Sequence, residues 1–414
     1  MQGKKEKKQL STTMWLLALC WLVYTCSYLG KLGYNANITQ IESVYAIPHS
    51  TAGIVSTFFF FAYGIGQILN GIFCKKYNLR FIVFGSLLVS GLMNILVVLI
   101  DNFDYIKYFW LVNGLALSVL WPSLIRLLSE TLDKKEIGRA VVVMGTTVAT
   151  GTFFVYGLSA LFVAVWSYKV MFFVAGILLP LIAAIWIFSY PKLVKKQEGK
   201  QEEKQECEGQ VRVETKDKPK LGWLWICIIL LAIFAVFDNL IKDGLTTWVP
   251  AILATLYTLP DYMSILLTMV LPILAIFGAT LVVALNKRIK DFILLAALLF
   301  LVSGILITVV ILCLPTGWFV LTLGCFGLVA CLTSAINNVI TSIAPLRWKD
   351  KVNSGLLAGV LNGCCYIGST LSAYGLGLVA DMGGWNAVFI LLASLCLVAV
   401  ALSVVYIIIK KVRR

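Results

Sequence analysis

Charge is what this chain has least of. Only 13% of its 414 residues are Asp, Glu, Lys or Arg, against roughly 25% in soluble globular proteins. By contrast 60% are hydrophobic, and the mean hydropathy is +0.93. This balance excludes a soluble globule and makes the chain a polytopic membrane protein, so its length no longer counts domains. Histidine is almost missing, with His49 alone in a short loop between apolar segments. The eleven cysteines include no Cys-x-x-Cys spacing, and Cys364 and Cys365 are adjacent. Scattered through apolar segments, they read as small apolar side chains. No Gly-rich phosphate loop followed by Lys and Ser or Thr is present. These absences argue against an enzyme, a metal site, a disulfide framework and an ATP-driven pump, and no cofactor is expected.

What is there is a series of long apolar runs. A helix needs about 20 apolar residues to cross the hydrocarbon core, where unsatisfied backbone polar groups are excluded. Twelve stretches qualify, beginning near Met14, Ala52, Phe81, Tyr108, Arg139, Val170, Gly222, Met263, Phe292, Trp318, Asn353 and Ala387. The expected fold class is therefore all-α, with twelve transmembrane helices. Lys4-Lys5 and Lys7-Lys8 before Met14 imitate a secretory signal, but no clear small-x-small cleavage site follows, so the segment reads as an uncleaved first helix.

Residues 191–221 break the pattern with a run rich in Lys, Glu and Gln, too polar to bury anything. The segment reads as a solvated linker between a six-helix half at 1–190 and a second at 222–414. Of the 34 Lys and Arg residues, 29 fall in the linker, the termini and the loops on their side, and only Lys107 and Lys169 fall in the opposite loops. The positive-inside rule then places both termini and the linker in the cytoplasm. Read by position, the net charge of +14 describes topology and contact with the lipid bilayer, not binding of nucleic acid. Three basic residues remain: Lys31, Arg126 and Lys242.

Two of these sit in a repeat. Leu29-Gly30-Lys31-Leu32-Gly33 lies in the first apolar run, and Leu240-Ile241-Lys242-Asp243-Gly244 repeats its Leu-x-Lys-x-Gly pattern in the first run of the second half. A charge in hydrocarbon costs several kcal/mol, so such residues normally face a polar interior. Tyr24, Tyr28, Lys31 and Asn35 share one helix face by spacing. Asp238 and Asn239 share the face of Lys242, with Thr246 one turn on, whereas Asp243 is expected to point elsewhere. Two readings stay open: the lysines snorkel to the interface, or both line one site between the halves. Asp238 is either a structural counter-ion for Lys242 or a group that couples protons to function. Arg126, near a helix end, reads as structural. Gln67, Asn70, Thr146, Thr147, Asn337, Asn338 and Asn362 fit helix-to-helix hydrogen bonding as well as cavity lining.

Several motifs together resemble the organophosphate:phosphate antiporters of the major facilitator superfamily. They are Tyr28-Leu29-Gly30-Lys31, Ala62-Tyr63-Gly64 through Gly71, Lys75-Lys76-Tyr77-Asn78-Leu79-Arg80, Trp121-Pro122 with Arg126, and Lys135-Glu136-Ile137-Gly138. The second half adds Lys242-x-Gly244 with Trp248-x-Pro250, then Gly355 to Gly368 with Tyr366, Asp381 and Gly384-Trp385. The resemblance implies the major facilitator fold, two pseudo-symmetric six-helix halves with a substrate site between them near the midplane. In that family a pair of arginines holds the substrate phosphate, and their positions fall on Lys31 and Lys242. Its aromatic site residues fall on Tyr24, Tyr28, Tyr63, Trp121 and Tyr366. This chain departs from the pattern in using ammonium groups, which keep the charge but lose the planar two-point fork. It departs also at Gln67, at Val148 and at Lys75, where the family carries a basic residue, a histidine and an acidic residue.

The resemblance implies a secondary transporter of the plasma membrane, a monomer, that moves a small organic anion by alternating access. Lys31, Lys242, the five aromatic residues, Asn35 and Asn239 would bind the anion. A dianionic phosphate ester balances two ammonium groups, in exchange for inorganic phosphate. The alternatives are proton-coupled uptake of a carboxylate such as a sugar acid, with Asp238 coupling, and a membrane sensor of external organophosphate.

Overall fold

The computed structural model describes residues 2–73, 77–132, 134–205, 221–314, 317–348, 352 and 354–412. Fifteen α-helices account for nearly all of these. The first eight are α1 (Gln2–Ala36), α2 (Ile38–Tyr45), α3 (His49–Phe73), α4 (Leu79–Leu99), α5 (Phe103–Ser118), α6 (Leu120–Thr131), α7 (Lys134–Val165) and α8 (Lys169–Gln205). The second series is α9 (Leu221–Leu256), α10 (Asp261–Thr268), α11 (Val270–Arg288), α12 (Phe292–Cys313), α13 (Phe319–Asn338), α14 (Ala344–Arg347) and α15 (Ser354–Val412). A π-helical turn, Val339–Ile343, joins α13 to α14.

Among the described residues eleven stretches are long and apolar enough to cross a membrane, and the last covers 55 residues, Leu357–Lys411. At 1.5 Å per residue that is about 80 Å, far more than the roughly 30 Å hydrocarbon core. Gly384 resolves the discrepancy, because its φ of 70° and ψ of 179° break α15 into two arms, a backbone conformation that only glycine adopts freely. Among the described residues the apolar stretches thus number twelve. The helices begin where short caps stop the chain: Asn78, Asn102 and Asp291 each accept a backbone N–H from the first turn of α4, α5 and α12.

The same pairing of crossings occurs twice. In the first set α1 packs on α7 (Trp21 Nε1 to Thr146 Oγ1, 3.0 Å), α3 on α5 (Gln67 Nε2 to the Ser118 carbonyl, 2.9 Å), and α4 on α8 (Trp186 Nε1 to the Arg80 carbonyl, 2.9 Å). In the second set α9 packs on the first arm of α15 (Trp248 Nε1 to the Ala373 carbonyl, 3.1 Å). There α11 packs on α13, and α12 on the second arm through Asp291 and Lys410. First with fifth, second with fourth, third with sixth: this order in both sets is the pseudo-symmetry that the lysine repeat foreshadows.

Helix α8 continues through Gln205, past the expected start of the linker at residue 191. Residues 206–220 lie outside the described residues, as do Lys75, Lys76, Lys349, Lys351, Arg413 and Arg414 of the basic loops.

Candidate functional site

Each polar group at the centre of the bundle is carried by a helix facing the junction of the two sets. Lys31 on α1 turns toward the aromatic rings of α1 and α3. Its Nζ lies 4.5 Å from the centroid of the Tyr63 ring and 5.4 Å from that of Tyr28, and both tyrosines are buried. An ammonium over an aromatic face gains ~0.5–2 kcal/mol, more as water is excluded. Among the described residues no carboxylate lies within 4 Å of it.

The aromatic residues expected at the site gather around it. Tyr24 meets Tyr28 at 5.7 Å and Trp121 of α6 at 4.8 Å between ring centroids. Tyr63 of α3 meets Tyr366 of α15 at 4.8 Å, across the two sets. Lys31 therefore touches a ring that touches the opposite half.

Lys242 on α9 is held differently. Its Nζ donates to Asn239 Oδ1 at 3.0 Å and lies 3.8 Å from Asp243 Oδ1. Asp243 in turn accepts a hydrogen bond from the Ser369 hydroxyl of α15. Here the sequence reading fails: Asp243, expected to point away, is the carboxylate at the lysine. Helical spacing puts the two residues on different faces, but the four-carbon lysine stem lets Nζ swing back to its neighbour's side chain. Asp238, the expected partner, is completely buried, and neither of its oxygens has a hydrogen-bond partner.

Asn35, expected among the anion-binding residues, is hydrogen-bonded here to both neighbouring helices. Its Nδ2 donates to Thr247 Oγ1 at 2.7 Å and its Oδ1 accepts from Ser56 Oγ at 2.9 Å, so both ends of the amide are committed. It belongs to a seal between the sets at the His49 end of the bundle. There Tyr156 donates to the Thr246 carbonyl at 2.5 Å, and Thr57 donates to the Thr370 carbonyl at 3.1 Å. The Asp381 carboxylate accepts the backbone N–H groups of His49 (3.0 Å) and Ser50 (2.8 Å), capping α3 from the opposite set.

The His49 ring sits among Trp248 at 5.6 Å, Trp385 at 4.9 Å and the Glu42 carboxylate at 2.9 Å. Burial raises the Glu42 carboxyl above its usual range, and the His49 hydrogen bond opposes that shift. Sequence reasoning left His49 as a bare loop residue; Trp385, flanking the glycine break, was the available signal.

Asp381→Asn keeps the shape of this cap and removes its charge, which favours a helix N-terminus. Because Asp381 is exposed, the expected effect is modest, about a fivefold shift toward a state open at this end. The shift would be read from the distance between spin labels at the exposed Val44 and Met382.

Several of the remaining polar candidates are hydrogen-bonded within the bundle. Gln67 bonds backbone as given above, Asn70 and Asn338 bond carbonyls of their own helices, and Asn337 donates to Cys365 Sγ at 3.6 Å. Arg126 donates to Glu130 at 2.6 Å, in line with a structural role.

The Major Facilitator Superfamily model matches residues 20–354. A probable hexose phosphate transport protein of Chlamydia trachomatis is 21% identical over 92% of this chain and 88% of its own length. The membrane sensor protein UhpC of Escherichia coli is 25% identical, over 30% of this chain and 28% of the sensor. The glucose-6-phosphate exchanger SLC37A2 of Xenopus laevis is 24% identical over 44% of this chain and 41% of its own. A crystal structure of a bacterial homologue of the human lysosomal transporter Spinster superposes with a TM-score of 0.73 at 13% identity, covering 95% and 96% of the two chains. The pairing of crossings, the break at Gly384 and these matches agree: the chain belongs to the major facilitator superfamily.

Proposed function

We propose that the protein is a secondary transporter that binds a small organic anion between Lys31 and Lys242 and moves it by alternating access. The observation that carries this reading is the pair of lysines, one from each set: Lys31 lies over the Tyr63 ring, which meets Tyr366 of α15, and Lys242 lies beside Asp243, which Ser369 of the same α15 arm holds. An anion bridging them engages both sets, so that rocking of one set against the other turns the site from one face of the membrane to the other. Tyr24, Tyr28 and Trp121 provide aromatic surface for its organic part, and Asn239 orients Lys242. The rocking units are the six-helix halves at 1–190 and 222–414. With both termini in the cytoplasm, in the plasma membrane, the sealed His49 end is external.

The hexose phosphate relatives favour a phosphate ester exchanged for inorganic phosphate. The UhpC similarity favours a sensor only over its 28% share of that protein. A reconstituted uptake assay with phosphorylated and carboxylated solutes tests the choice. Exchange predicts uptake only with phosphate inside, whereas accumulation driven by a pH gradient alone contradicts exchange. Binding without flux identifies a sensor.

One observation supports a second mode, proton-coupled uptake. Asp238 is a fully buried carboxyl without a hydrogen-bond partner, one turn before Lys242, and burying it as an unpaired charge is costly. If it carries the coupling proton, Asp238→Asn abolishes the pH dependence of uptake and leaves anion binding within about twofold. Unchanged pH dependence in that variant rules Asp238 out as the coupling group.

A further inference from the structure

The charge of the site is not the charge of its two lysines. Of the 34 basic residues only Lys31, Arg126 and Lys242 lie away from the loops and termini, and Arg126 is held by Glu130. That leaves two ammonium groups for a ligand. Lys242 already has the Asp243 carboxylate 3.8 Å from Nζ, and Asp243 is fixed in turn by the Ser369 hydroxyl. The side chains of Lys242 and Asp243 are 31% and 21% exposed, so a ligand reaching one meets the other. Lys31 lies over the Tyr28 and Tyr63 rings and has no carboxylate within 4 Å among the described residues.

We propose that Asp243 sets the selectivity of this site, making it a receptor for singly charged anions in which Lys31 takes the anionic group and the Lys242–Asp243 pair takes hydroxyl groups of the organic part. This rests on the reading above that both lysines face the ligand, and it narrows the substrate class. Two ammonium groups and one carboxylate leave one uncompensated positive charge. Asp238 can only keep that total or lower it. A monoanion neutralises the site, whereas a dianion leaves a net negative charge in a medium where unpaired charge is costly. The paired side chains offer an ammonium donor and a carboxylate acceptor side by side, which suits vicinal hydroxyl groups. Sugar acids and the monoanionic form of sugar phosphates fit this description, and dianionic phosphate esters fit it poorly.

The test compares binding of glucose 6-phosphate and gluconate to the full-length protein in detergent. A phosphate ester gives up its second proton at about pH 6, so binding is measured at about pH 5 and at about pH 7.5. Gluconate carries one charge at both and reports any change in the site itself. Relative to gluconate, glucose 6-phosphate is expected to bind about tenfold more tightly at the lower pH. Asp243→Asn is expected to abolish or reverse that preference, because it returns the site to two positive charges.

Equal or tighter binding of the dianion by the wild type overturns the proposal, as does a folded Asp243→Asn variant with an unchanged ratio. If that variant does not fold, the wild-type comparison decides alone. A Lys31→Gln variant separates the two levels: if it binds both probes as the wild type does, the shared-site reading itself fails. If Lys31→Gln loses both probes and the wild type still prefers the dianion, only the assignment to Asp243 fails.

Discussion

Lys31→Gln is expected to weaken anion binding by about 100-fold and to leave the protein at least as stable as the wild type. A hydrogen bond to a charged group contributes about 1.5–3 kcal/mol, more in a water-poor site, and each 1.4 kcal/mol is about a factor of ten. The stability arm distinguishes a ligand from a structural residue. Lys31 makes ring contacts and no ion pair among the described residues. Removing an uncompensated ammonium relieves a desolvation cost in the empty protein. A structural lysine would show the opposite pattern, with a lowered melting temperature and affinity preserved in the surviving fraction. Lys31→Arg should retain binding within about tenfold, because charge persists while the longer planar group shifts against Tyr63. Equilibrium binding and thermal melting of the same preparations check all three statements.

Gly53→Val is expected to abolish net transport while sparing binding from the outer face. A Cβ at Gly53 would lie 2.4 Å from the Ala373 carbonyl oxygen and 2.8 Å from its carbon, both backbone atoms of the first arm of α15. Neither can turn aside as a side chain would, so α3 and α15 must separate. The site lies within the seal, near Trp248, whose indole donates to the same Ala373 carbonyl. Overpacking of this kind costs ~1–3 kcal/mol or more, enough to shift the balance ten- to 100-fold toward the outward-open state. Labels at Val44 and Met382 should report a longer distance, and uptake should fall at least tenfold. Near-normal uptake at an unchanged distance would show that closure at Gly53 is not part of the cycle.

The fold was largely legible because hydrocarbon imposes a simple rule on sequence, and twelve apolar runs obey it. The structure moves their starts by a few residues and carries α8 as helix into the polar stretch before residue 206. Helical spacing placed Tyr28 on the face of Lys31, and the family resemblance supplied Tyr63 and Tyr366, whose rings the structure brings together. Asp243 was misread for a definite reason: helical spacing describes where Cβ atoms point, and a lysine Nζ lies several bonds beyond its own. The partners of Asn35, Ser56 and Thr247, are fixed by the packing of α1 against α3 and α9, which no local pattern encodes. The Asp381 cap on α3 joins residues more than 300 positions apart and is visible only once the two sets are assembled.

A double-mutant cycle on anion binding, with Lys31→Gln, Lys242→Gln and the two combined, tests the shared site most directly. If one anion bridges both lysines, the double variant should bind no more weakly than about tenfold below the weaker single variant, a large coupling between residues far apart in sequence. Losses that simply multiply, or a Lys242→Gln variant with wild-type affinity, would show that the lysines do not serve one ligand.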